Sequence, residues 1–73
     1  MLAKKLGRQI ATLRKRAGLT QEQLAEAAGY SVEFISLIER GVNSPTIAGI
    51  EQISSILGVE AKELFTFGEG GTL

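Results

Sequence analysis

The feature that most narrows what this chain can fold into is its punctuation. A hydroxyl residue able to start a helix and a glycine able to stop one alternate three times, as Thr20 and Gly29, Ser31 and Gly41, Thr46 and Gly58. A Ser or Thr before a first turn accepts a backbone N–H that has no partner within the helix, and a following glycine takes the left-handed conformation that ends one. Gln23, three residues after Thr20, completes a capping box. The segments enclosed are helices of about Gln21 to Ala28, Val32 to Arg40, and Ile47 to Leu57.

Apolar periodicity agrees. Leu2, Leu6, Ile10, Leu13 and Ala17 are spaced four, four, three and four apart, one stripe of a first helix that Gly18 closes. Ile35 and Ile38 face inward on the third helix, with Phe34 at the core edge. Ile47, Ile50, Ile53 and Leu57 form the stripe of the fourth. A last short helix, roughly Glu60 to Phe65, returns Leu64 and Phe65 to the core. Gly49 inside the fourth helix costs about 1 kcal/mol relative to alanine, which implies close packing or simple tolerance. No strand signal and no internal repeat occur. The expected fold class is all-α, a five-helix orthogonal bundle in one domain over residues 1–67, with residues 68–73 as a flexible tail.

Composition removes most alternatives. The 73 residues leave room for a single core, and mean hydropathy of +0.14 with 22% charged residues is ordinary globular material. No apolar run reaches bilayer length, and charge interrupts the start of the chain too early for a signal peptide, so a cytoplasmic protein without a membrane partner is expected. Cys, His and Asp are all absent. Without them, and without a phosphate loop or a nucleophile paired with a base, neither enzyme chemistry, metal, cofactor nor small-molecule substrate is expected.

Net charge is zero but unevenly placed. Lys4, Lys5, Arg8, Arg14, Lys15 and Arg16 give the first sixteen residues a charge of +6, and the rest sums to −6. The cluster is either a solvated face of the first helix or a phosphate-facing surface.

Two helices joined through a glycine turn are the sequence form of a helix-turn-helix, whose second helix can enter a DNA major groove. The residues carry a resemblance. Leu-Thr-Gln-x-x-Leu-Ala at Leu19 to Ala25, the Gly29 turn, Ile-Ser-x-Ile-Glu-Arg-Gly at Ile35 to Gly41, and Pro45 with the following Ile-x-x-Ile are similar to the phage-repressor/Cro-like helix-turn-helix family, over about residues 6–66. The resemblance implies a lambda-repressor-like DNA-binding domain and a transcriptional regulator of double-stranded DNA.

Residue roles follow from the resemblance. Val32, Glu33, Ser36 and Leu37 match positions that approach base edges. Val32 and Leu37 suit a thymine methyl, Ser36 several edges, and Glu33 a cytosine amino group. Many relatives carry Gln, Lys or Arg in place of Val32 and Leu37, so partial burial of these two is the competing reading. Gln21 matches a phosphate-binding position beside the Thr20 cap, where free amides and the helix dipole favour an anion. Arg40, Asn43, Ser44 and Thr46 form a second phosphate cluster, with turn formation the alternative for Asn43 and Ser44. Arg14 and Glu39 match a semi-buried ion pair joining the first and third helices.

A homodimer on a two-fold site with half-sites about 34 Å apart is expected. Val59, Phe65 and Phe67 are its candidate interface. The competing function is a protein-interaction module on the same fold with weak or no DNA binding.

Overall fold

The computed structural model describes residues 1–67; the proposed tail, 68–73, lies outside them. Four α-helices, α1 (Leu2–Arg16), α2 (Gln21–Ala28), α3 (Val32–Glu39) and α4 (Ile47–Leu57), precede a 3-10 segment at Ala61–Phe65. The fold is all-helical, but the fifth helix of the sequence reading is corrected to this short 3-10 turn. The segment after the Glu60 cap holds five residues, little more than one turn of a regular α-helix.

The caps are made as the sequence implies. Thr20 Oγ1 accepts from Gln23 N–H, while Gln23 Oε1 accepts from Thr20 N–H. Ser31 Oγ accepts from Phe34 N–H, and Thr46 Oγ1 from Gly49 N–H. Gly29, at φ +75°, reverses the chain between α2 and α3, a conformation that costs a residue with a Cβ. α3 is one residue shorter than expected, because Arg40 becomes its C-cap.

Each element sends at least one side chain to a common core. Ile10, Leu24, Ile35, Ile38, Ile53 and Leu64 are the largest fully buried side chains, each stabilising by about 1.5–3 kcal/mol. Three apolar assignments are corrected. Leu2 and Ile47 lie on the expected stripes but are 59% and 75% exposed, since each sits in the first turn of its helix where no neighbouring element covers it. Phe65 is 41% exposed: neighbours in a 3-10 helix point about 120° apart, and Leu64 takes the inward direction.

Long-range polar contacts fix the helix-turn-helix within the bundle. Gln52 Nε2 donates to Ala28 O at the end of α2, and Gln9 Nε2 donates to Glu63 O in the 3-10 segment. Gly49 is buried beneath the Tyr30 hydroxyl, which a Cβ there would approach to 2.6 Å, so close packing explains this glycine. Tyr30 also meets Phe34 edge-on at 5.0 Å, seating the start of α3 against α4. No helix among the described residues is long and apolar enough to cross a membrane.

Candidate nucleic-acid interface

Because the backbone rotates about 100° per residue, α3 divides into an inner side and an outer side. Ile35 and Ile38 are buried; Glu33 and Arg40 are exposed; Val32, Ser36 and Leu37 are half-buried between them. None of the four proposed base-reading residues is sealed. Val32 does, however, pack part of its surface against the core, which leaves less of it to offer a base than Glu33 has.

The amino end of α2 and the carboxyl end of α3 meet at one polar junction. Arg14 reaches from α1 and donates through Nε to Glu39 Oε2 at 2.6 Å and through Nη2 to Oε1 at 3.1 Å. Its Nη1 donates to Leu19 O, the carbonyl just before the α2 cap. Gln21 Nε2 donates to the same Glu39 Oε1 at 2.9 Å. The Arg14 and Glu39 side chains are only 9% and 6% exposed, so this bidentate pair works in a medium that screens it weakly. The Leu19 and Gln21 bonds were not legible in the sequence: nothing in a leucine carbonyl or a glutamine amide marks its partner, five residues away at Arg14 and eighteen away at Glu39.

Gln21 is thereby oriented rather than consumed. A carboxamide nitrogen carries two hydrogens, of which Glu39 takes one and leaves the other available to a phosphate oxygen. Thr20 and Thr46 behave similarly: each hydroxyl accepts a cap bond and retains its own hydrogen to donate. Arg40, Asn43 and Ser44 are exposed at the α3 exit, where the Val42 and Asn43 amides donate to Leu37 O and shape the turn. Val42 itself is 63% exposed, an apolar residue beside this cluster that periodicity had no means of locating.

Val59 is half-buried against the core, and Phe65 meets Phe67 edge-on at 6.4 Å. The Gln21–Glu39 bond joins α2 to α3, while the aromatic pair lies at the end of the 3-10 segment, which packs on α1 and α4.

An outward-facing α3, joined to the start of α2 by the Gln21–Glu39 bond and to α1 by the buried Arg14–Glu39 ion pair, has the architecture of a helix-turn-helix domain. A model of the helix-turn-helix domain family matches residues 5–65. The uncharacterized HTH-type transcriptional regulator y4dJ of Sinorhizobium fredii is 37% identical over 65 residues, which are 89% of this chain and 84% of that protein. The restriction-modification controller C.AhdI from Aeromonas hydrophila superposes with a TM-score of 0.82 at 32% identity, covering 86% of this chain and 96% of that one. SinR, the master regulator for biofilm formation, solved in complex with DNA, superposes with a TM-score of 0.76 at 34% identity, covering 82% of this chain and 97% of that one. This chain belongs to the helix-turn-helix domain family, and the repressor/Cro-like resemblance is borne out.

Proposed function

We infer that this protein is a transcriptional regulator that binds double-stranded DNA through α3 in the major groove. The observation that carries the reading is the junction of Arg14, Glu39 and Gln21. It ties the start of α2 to the end of α3, so that a phosphate anchor and a base-reading face keep one relative position. The relative crystallised with DNA supports the same use of the fold.

In this reading Gln21, with Thr20 beside it, holds one phosphate. Arg40, Asn43, Ser44 and Thr46 hold phosphates at the other edge of the groove. Glu33 is the specificity residue most open to a base, with Ser36, Leu37 and the exposed part of Val32 beside it. Two copies bind a two-fold site, joined through Phe65, Phe67 and Val59, and the duplex is met in the cytoplasm. Selection of bound duplexes from a random pool tests this: a two-fold motif with half-sites about 34 Å apart is expected. No enriched sequence, together with no salt dependence of binding to any duplex, overturns it.

A second reading rests on exposed apolar side chains. Val42 and Ile47, 63% and 75% exposed on either side of the loop from α3 to α4, suit a protein partner better than phosphate. Val42→Ser with Ile47→Ser separates the two, because the regulator reading expects DNA affinity to survive this change.

A further inference from the structure

The six cations of α1 fall into three positions around the helix. Arg14 turns inward to Glu39. Lys4, Arg8 and Lys15, with Ala11 between them, follow the four, three, four spacing of one helix edge, and Lys5, Thr12 and Arg16 follow another. All five outer cations are exposed, and among the described residues none lies within ion-pair distance of a carboxylate.

The contacts of α1 show which edge borders what. Gly7 and Arg14 meet α3, while Gln9 bonds the 3-10 segment. At 100° per residue, the Lys4–Arg8–Lys15 edge therefore runs from the α3 side of the helix, at Lys4, to its outer pole, at Arg8, and the Lys5–Arg16 edge lies toward the 3-10 segment. On α3, the outward arc next to Glu39 begins with Ser36 and Arg40. The two exposed arcs lie on either side of one helix contact, with Lys4 the cation of α1 nearest the α3 exit. The α3 exit shows the closeness directly: a Cβ on Gly41 would stand 2.6 Å from Lys4 Cγ.

We propose that Lys4, Arg8 and Lys15 form a second phosphate-contacting edge, which grips the DNA backbone flanking the groove entered by α3. The inference rests on the DNA-binding reading above and extends it to residues outside the helix-turn-helix. It also resolves the neutral total charge. A protein without net positive charge can bind a polyanion when its cations are concentrated beside the reading helix, as the +6 charge of the first sixteen residues is concentrated on α1. The arrangement has a cost to the isolated fold, since Lys4 and Lys5 occupy the first turn of α1 with no acidic residue there, and Lys4 and Arg8 repel at i, i+4. Lys4 recovers part of this beside the carboxyl end of α3; Arg8 does not.

The experiment compares two variants of equal charge. Arg8→Gln with Lys15→Gln alters the Lys4–Arg8–Lys15 edge, and Lys5→Gln with Arg16→Gln alters the other. Affinity for a selected duplex is measured against salt concentration. Each lost phosphate contact lowers the slope of log affinity against log salt by about 0.9, so the first pair is expected to lower it by about 1.8 and the second to leave it unchanged. Equal slopes for the two pairs, whether both reduced or both unchanged, overturn the inference. Absence of salt-dependent binding by the unaltered protein would instead be failure of the DNA-binding reading. Arg8→Gln alone provides the control for folding, because the Arg8 side chain is exposed, and its slope is expected to fall by about 0.9.

Discussion

Glu39 accepts three hydrogen bonds, two from Arg14 and one from Gln21, and this concentration makes it the residue whose loss reaches furthest. Glu39→Ala leaves the Arg14 guanidinium buried without its counter-charge, and a loss of about 3–5 kcal/mol is expected in chemical denaturation. Replacing both partners, Arg14→Met with Glu39→Leu, removes two charges together and is expected to restore most of that stability. Gln21 is then no longer aimed by its neighbour, so the doubly substituted protein should fold and still bind DNA more weakly. Recovery of full affinity along with stability would show that the junction does nothing for the phosphate anchor.

Base reading is a separate residue-scale matter. Gln21→Ala is expected to weaken binding on all sequences alike, whereas Glu33→Gln shifts preference at one position of each half-site. Selection with each variant checks this, and a changed motif from Gln21→Ala would reverse the two roles.

At the scale of elements, the contact of α1 with α3 depends on a residue with nothing to project. A Cβ at Gly7 would lie 2.8 Å from Glu39 O and closer still to Ile38 O, and these are backbone atoms that cannot swing aside. Gly7→Ala improves helix propensity by about 1 kcal/mol, but overpacking against rigid carbonyls costs about 1–3 kcal/mol, so a lowered melting temperature is expected. A raised one would mean that α1 can move away from α3 at no cost. The caps belong to this scale too, and they were legible because a cap is local: Thr20, Ser31 and Thr46 need only the backbone three residues on. The 3-10 segment was not legible as such, because the same capping signals precede a long helix or a single turn.

At the scale of the whole molecule, one protomer measures 35 × 24 × 21 Å, and with one helix-turn-helix it is proposed to occupy one half-site. Two copies set about 34 Å apart would lie close enough to touch. Phe65, 41% exposed and meeting Phe67 edge-on, is where that contact is proposed. Phe65→Ser is expected to shift sedimentation toward the monomer and to weaken binding to a two-fold site more than to a single half-site. An unchanged sedimentation profile would move the interface elsewhere.

The sequence by itself determined the four α-helices, their caps, and most of the residues that turn inward, because capping and 3.6-residue periodicity act between residues close along the chain. It also carried the family, through residue types at set spacings from Leu19 to Gly41. Only the tertiary structure decided that Leu2, Ile47 and Phe65 remain in solvent, that Gln21 shares a carboxylate with Arg14, and that Lys4 of α1 stands against Gly41 at the α3 exit. The physical reason is distance along the chain. Periodicity assigns a residue to a face, but what covers that face, or bonds to it, is supplied by segments tens of residues away.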